Sequence, residues 1–382
     1  MFVIEMLPAQ QGDALWIEYG SAAKPHRILI DGGTPPTVDA IRKRVLTMPA
    51  SERRFELLIV THIDTDHIGG ILRLLSDKQL GLTFKDVWFN AWPQIKGIDR
   101  SHVLGPLPEP SPSKVLGPKD GELLNRLLDL RGGAVAGGWN RAFGTKPDTR
   151  VARPDKGPLP VAKLAGGMTM TILAPSLARL KKLRDAWEAV IRDTKMTDAE
   201  RKRILDAAAK AKGVLGAAGD KLKLAADRKF ESDDTPANGS SIVVLAEYQG
   251  QRMLLTGDAF AGEIEKGIDR YLADQVPRPE RLRVDLVKLA HHGSRKNTSL
   301  SMLRRIECHR FLVSTCGAVF GHPDFEAIAR VLVTNGPGVD LGFDYDVKTT
   351  KGWKSPALQS DRRFRYTARY PAAGAQGLRT EL

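Results

Sequence analysis

The stretch Leu57-Leu58-Ile59-Val60-Thr61-His62-Ile63-Asp64-Thr65-Asp66-His67-Ile68-Gly69-Gly70 runs an apolar tetrad straight into two imidazoles and two carboxylates. An apolar run of that length, bounded by polar residues, reads as a buried strand. His62, Asp64, Asp66 and His67 then crowd the turn that leaves the strand's carboxyl end, where open α/β layers place their reactive groups. So much charge in six residues is costly without a cation or a solvated cleft. An Asp-rich turn capping the next helix explains less, because a cap needs one Asp and neither histidine.

Moving outward, the first 90 residues alternate strand and helix signals. Residues 3–7, 14–19, 27–30, 57–60 and 87–91 read as strands, residues 38–46 as a short amphipathic helix, and a further helix opens at residues 70–75. Gln11-Gly12-Asp13 and Asp31-Gly32-Gly33 are turns. Residues 93–160 are rich in Pro and Gly with one helical segment at 121–130, and long connections of this kind commonly line a site. Strand signals return at 168–173, 242–247, 252–255, 286–290 and 311–314, with a helix at 263–275 and a late alternating segment at 364–370.

Residues 176–228 change character. Leu177, Leu180, Leu183, Trp187, Val190 and Ile191 share one helix face, and Thr197 with Glu200 offers a capping box for a second helix. The pattern predicts a basic helical hairpin at 176–235, inserted between two strands and so between residues 1–175 and residues 236–382, the latter ending in a C-terminal extension. Residues 176–228 carry a net charge of +6 out of +13 for the whole chain of 382 residues. A charged stripe is usually a solvated face, yet the overall excess favours polyanionic partners such as nucleic acid.

No apolar run approaches the roughly 18 residues needed to cross a bilayer. The start, Met1-Phe2-Val3-Ile4-Glu5-Met6-Leu7, reads as a first strand rather than a leader. Cys308 and Cys316 are too few for a disulfide framework and too isolated for a zinc knuckle, so they read as small buried hydrophobes. The expected setting is the reducing cytoplasm, with no membrane association.

Three more clusters follow strands in the same manner: Thr256-Gly257-Asp258, His291-His292-Gly293-Ser294 and Gly321-His322-Pro323. Each alone is weak. Together, the series His62-x-Asp64-x-Asp66-His67, Asp258 and His291 resembles the metal-binding motifs of the metallo-β-lactamase fold superfamily. Gln11-Gly12-Asp13-Ala14, Thr-Gly-Asp, His-His-Gly-Ser and the late Gly-His-Pro bring it nearest to the competence-protein (ComEC-like) branch, over about residues 1–345 apart from the insertion.

The resemblance implies an α/β fold, a four-layer αββα sandwich with a helical insertion. It implies that His62 and Asp64 bind one divalent ion and Asp66 and His67 the other. Asp258 bridges them and His291 completes the second site, with His292 the alternative should the register shift by one. Asp31 would order the ligand turn through hydrogen bonds. Asp66 would also orient the nucleophile, and His322 would face the cleft as a polarising or proton-donating group. Two such ions, zinc or manganese, lower the pKa of bound water to roughly 7 and neutralise charge on the electrophile. Asp64 stands where a second histidine is usual, and an oxygen ligand favours the harder metal. The superfamily commonly gives its first metal another histidine between these motifs; His102, in a Pro-rich loop, is the one histidine in that interval.

The expected activity is hydrolysis of a phosphodiester, in the first instance the backbone of a nucleic acid, without the branch's membrane channel and hence without DNA uptake itself. Two alternatives stand beside it: a small-molecule hydrolase acting on a lactone, thioester or lactam, and a non-catalytic metal-stabilised module that binds nucleic acid or protein.

Overall fold

The computed structural model describes residues 1–96, 117–130, 139–146, 148–192 and 218–382. Its strands are β1 (Phe2–Met6), β2 (Leu15–Ser21), β3 (Lys24–Ile30), β4 (Arg54–Ile59), β5 (Thr83–Trp88), β6 (Val161–Lys163), β7 (Thr169–Ala174), β8 (Val243–Tyr248), β9 (Gln251–Leu255), β10 (Leu282–Arg283), β11 (Leu286–Lys288), β12 (Ile306–Glu307), β13 (Arg310–Val313), β14 (Val339–Phe343), β15 (Tyr366–Arg369) and β16 (Leu378–Glu381). The principal helices are α1 (Val38–Leu46), α2 (Thr65–Ser76), α3 (Trp92–Lys96), α4 (Gly117–Leu130), α5 (Leu177–Arg192), α6 (Ala218–Ala226), α7 (Ala261–Ala273) and α8 (Phe325–Asn335). The expected α/β class is the class observed. Among the described residues, no helix is long and apolar enough to cross a membrane.

One sheet runs β16-β1-β2-β3-β4-β5 and a second runs β15-β14-β13-β11-β9-β8-β7-β6; β10 and β12 form a separate parallel pair. β3, β4 and β5 are parallel neighbours, as are β9, β11, β13, β14 and β15 in the second sheet. The carboxyl ends of parallel strands therefore gather loops from both sheets, the usual place for a site in α/β layers.

The apolar run before the ligand turn is explained by burial on both faces. Leu57 and Ile59 point into the core between the sheets, with Ile17, Ile28, Met170, Val244 and Leu255. Leu58 and Val60 point the other way, onto Ile41 of α1 and Ile68, Ile71 and Leu75 of α2. On the far side of the second sheet, Leu245 packs with Leu254, Val287 and Phe311 against Ile264 and Ile268 of α7 and Ile328 and Leu332 of α8.

Of the helices in the expected hairpin region, α5 places Leu180, Leu183 and Trp187 in the core outside the first sheet. α6 places Leu222, Ala225 and Ala226 in the core outside the second. Thr197 and Glu200, the capping box, lie outside the described residues.

α2 begins at Thr65, five residues before the start expected from its sequence pattern. Gly69 and Gly70 lower helix propensity locally and disguise the start. Gly70 is required for contact rather than for flexibility: a Cβ there would lie 1.9 Å from the carbonyl oxygen of Gly32. Asp66 and His67 consequently sit in the first turn of a helix, not in an open turn.

Candidate metal centre

Asp31 follows β3 in a left-handed conformation, φ 57°. Its carboxylate receives hydrogen bonds from the Thr61 backbone N–H at 2.8 Å and the Thr61 hydroxyl at 2.6 Å. A third comes from His67 Nδ1 at 2.8 Å. The expected ordering role of Asp31 corresponds to these contacts.

These bonds assign the tautomers. Asp31 only accepts, so His67 Nδ1 carries the proton and Nε2 presents a lone pair. The Thr61 hydroxyl donates its single proton to Asp31 and so accepts from His62 Nδ1, 3.0 Å away. His292 Nδ1 donates to the Ser314 carbonyl at 2.9 Å. All three rings are buried, and none of the three Nε2 atoms has a hydrogen-bond partner. All face the Oδ2 of Asp258, His67 at 3.3 Å, His292 at 3.5 Å and His62 at 3.9 Å. Asp258 Oδ1 is likewise buried without a partner. Orphaned buried donors of lone pairs around a carboxylate suit a cation, since leaving them unmet costs about 1–3 kcal/mol each.

Four overlapping groups result among the described residues: His62, His67 and Asp258; Asp66, His67 and His292; and two that include Asp13, with Asp31 and His67 or with Asp258 and His292. Asp64 Oδ2 stands 3.5 Å from His62 Nε2. Asp66 Oδ2 stands 3.8 Å from His292 Nε2. The buried His/Asp groups are thus positioned to hold a metal ion.

His292, rather than His291, joins these groups. β11 ends at Lys288, and both histidines adopt left-handed backbones, φ 48° and 56°, so strand alternation no longer dictates where they point. His291 keeps Nε2 within 3.8 Å of Asp258, but its Nδ1 faces Asn297 Oδ1 at 3.0 Å and Asp233 at 3.5 Å. His322 packs against His291, ring centroids 5.2 Å apart, with Asp324 3.5 Å from its Nδ1. His102 lies outside the described residues.

Charge follows the same logic. Burial works to lower His67, yet Asp258 and Asp31 hold it well above its ordinary value. Burial likewise opposes His291, which Asp258 and Asp233 push up to about 9. Burial raises Asp66, with Asp258 and Asp64 adding to the effect. Asp258 is held well below the usual carboxylate range, because His67, His292 and His291 outweigh its burial. Burial keeps His322 low. A proton and a cation compete for the same lone pairs, so metal uptake here should release protons.

No protein-family model matches this chain, and no curated protein matches it. The site therefore rests on its own geometry.

Behind the cluster lie residues whose part in the site is not apparent in the sequence. Asp13, which reads there as part of a turn and of the Gln-Gly-Asp-Ala motif without a role of its own, forms a buried ion pair with Lys288, Nζ 2.8 Å from its carboxylate, and approaches His292 Nδ1 at 3.3 Å. Gly12 beside it admits no side chain, because a Cβ would lie 1.6 Å from the Asp66 carbonyl oxygen. Asp344 is also buried, and burial pushes its carboxyl up to about 8 against hydrogen bonds from Thr315 and Ser314. The Ser314 hydroxyl has one proton but faces both Gly12 O at 2.8 Å and Asp344 at 3.0 Å, so a protonated Asp344 lets both contacts form.

Two predictions arise here. Asp31→Asn retains a residue tolerant of left-handed backbone but loses the charged acceptor. It should lower metal affinity by about 10–100-fold, the usual effect of removing a partner from a ligating histidine. Competition with a chromophoric chelator measures it, and unchanged affinity would remove Asp31 from the site. Asp344 gives the second. The folded protein keeps this proton up to a pH of about 8, whereas the unfolded chain releases it near about 4. Between those values the unfolded state binds fewer protons, so stability falls as pH rises. In metal-free protein, Asp344→Asn should flatten the decline in urea midpoint between pH about 5 and about 8. Equal slopes in both proteins would contradict the assignment.

Proposed function

We propose that this chain is a metal-dependent hydrolase of the metallo-β-lactamase type, a four-layer αββα sandwich that cleaves phosphodiester bonds, with nucleic acid as its substrate. The carrying observation is the convergence of three buried, unpartnered Nε2 atoms, from His62, His67 and His292, on the Asp258 carboxylate. Nitrogen lone pairs fixed by hydrogen bonds on the opposite ring atom, together with buried carboxylates, form a donor set suited to zinc or manganese. His62, His67 and Asp258 would hold one cation, with Asp64 at hand. Asp66 and His292 would hold a second, sharing His67's side of the cluster and Asp258.

When bound, divalent cations supply water activation near neutral pH and charge neutralisation on a phosphoryl group. The chain's own residues do the positioning. Asp66, partly exposed while His62, His67 and His292 are buried, would accept a proton from the attacking water. His291 is steadied by Asn297 and Asp233 and stands beside His322, and the pair lines the rim where a leaving oxygen takes up a proton. His291 thus serves as a proton-handling group in this reading, and His292 takes the ligand position. The net charge of +13 agrees with a polyanionic substrate.

The test is incubation of purified protein with labelled single-stranded DNA and either manganese or zinc. Metal-dependent cleavage that stops with a chelator is expected. No cleavage with any divalent metal would refute the nuclease reading.

A further inference from the structure

Beside the loop that follows His292 lies a cavity of about 230 Å³, lined by Arg228, Lys229, Glu231, Arg295, Lys296, Glu326 and Arg330. Five cations here face two carboxylates. We propose that this cavity binds a phosphoryl group, an inference that takes its ligand class from the phosphodiester reading above.

Arg330 carries the argument. It is 2% exposed, yet its guanidinium donates only to backbone carbonyls: Ala226 at 3.3 Å, Arg228 at 3.1 Å, Arg295 at 2.7 Å and Thr298 at 2.8 Å. Among the described residues no carboxylate forms an ion pair with it. Glu326 and Asp324 favour its charge from a distance and Phe230 lies under it at 5.5 Å, but Arg295 opposes them and neither carboxylate meets the guanidinium directly. An anion in the adjoining cavity would therefore offset part of the cost of its burial. The same four bonds tie together the end of α6 with the segment after it, the loop after His292 and α8, so they fix the cavity wall in advance.

The remaining charges are arranged to leave positive potential unspent. Glu326 is shared between Arg228 and Arg295. The ammonium groups of Lys229 and Lys296 have no ion-pair partner among the described residues, and both side chains are exposed. Arginine forks and lysine ammoniums side by side are the donors that phosphate oxygens take. The volume falls below the roughly 300–1,000 Å³ of sites for drug-sized ligands, which suits a phosphoryl group with its waters better than a whole nucleotide.

The cavity is tied to the metal centre by one short loop. Arg295 and Lys296 follow soon after His292, and the next residue, Asn297, contacts His291 Nδ1 and donates to the Asp258 carbonyl at 3.0 Å. The Arg295 backbone N–H donates to Asp324, the carboxylate beside His322. A phosphate seated here is either a non-scissile phosphate of a bound strand or part of a small phosphorylated compound.

The experiment compares wild type with the double variant Lys229→Ala/Lys296→Ala, both full-length and in chelator so that nothing is cleaved. Inorganic phosphate binding is measured by calorimetry and a labelled single-stranded oligonucleotide by anisotropy. Affinity should fall about tenfold, and for the oligonucleotide the salt dependence should weaken by about 0.7 in log–log slope for each phosphate no longer neutralised. Weaker binding of the oligonucleotide, with or without weaker binding of phosphate, assigns the cavity to a strand; weaker binding of phosphate alone assigns it to a small phosphorylated compound. Unchanged binding of both ligands, or binding of neither by wild type, overturns the inference. Hydrolysis of bis(p-nitrophenyl) phosphate with manganese, run in parallel, keeps the two readings apart. Its absence refutes the hydrolase without touching the binding result, and its presence with unchanged binding refutes the cavity alone.

Discussion

Replacing Asp258 with alanine should lower metal-dependent hydrolysis by about a thousandfold or more, equivalent to about 4 kcal/mol of transition-state stabilisation. Four imidazoles face its Oδ2, at 3.3, 3.5, 3.8 and 3.9 Å for His67, His292, His291 and His62. No other carboxylate reaches both His62 and His292 among the described ion pairs. The backbone of residue 258 is held independently of its side chain, by its N–H to Ser241 Oγ and by Asn297 to its carbonyl, so the variant should fold. Removing a buried carboxylate from the cluster also removes its desolvation cost. The measurement pairs hydrolysis of a chromogenic phosphodiester with metal content of the purified protein, and near-normal values of both would refute the metal centre.

The largest stability effect is expected at Lys288. Its ammonium is fully buried and meets the buried Asp13 carboxylate at 2.8 Å, with a further bond to the Leu289 carbonyl at 3.1 Å. Burial works to raise Asp13, and Lys288 is the leading influence that holds it below the usual carboxylate range all the same. Lys288→Met removes the main counter-charge and leaves Asp13 only the approach of His292 Nδ1 at 3.3 Å, which costs about 3–5 kcal/mol. Asp13→Asn combined with Lys288→Met removes both charges and should recover most of that stability, as expected for coupled partners. Urea unfolding of the two single variants and the double variant reads this directly. A cost below about 1 kcal/mol for Lys288→Met would show that the pair contributes little.

Much of the site was legible because its signals are local. The run 57–60 followed by His62, Asp64, Asp66 and His67 needs only neighbouring residues to be read, and the structure brings those side chains together with Asp258. The choice between His291 and His292 was not settled by the sequence, because nothing local announces that β11 stops at Lys288 and that two successive residues turn left-handed. The Asp13–Lys288 pair joins residues 275 positions apart, and only the packing of one sheet on the other makes it visible. α8 could have been found, since Phe325, Ile328, Ala329 and Leu332 keep helical spacing after Asp324. β16 could not: four residues, Leu378–Glu381, alternate too briefly to distinguish a strand from a tail.

The paired sheets have a consequence for when the cluster can form. His62 and Asp13 come from segments of the first sheet, Asp258, His292 and Lys288 from segments of the second, and neither half owns a complete set. The fold is an interlock: the imidazoles and carboxylates of either sheet alone do not make up the cluster. Any slippage of one sheet across the other breaks ligand convergence and the Asp13–Lys288 contact together. A cation site built this way is complete only once the two sheets have packed together.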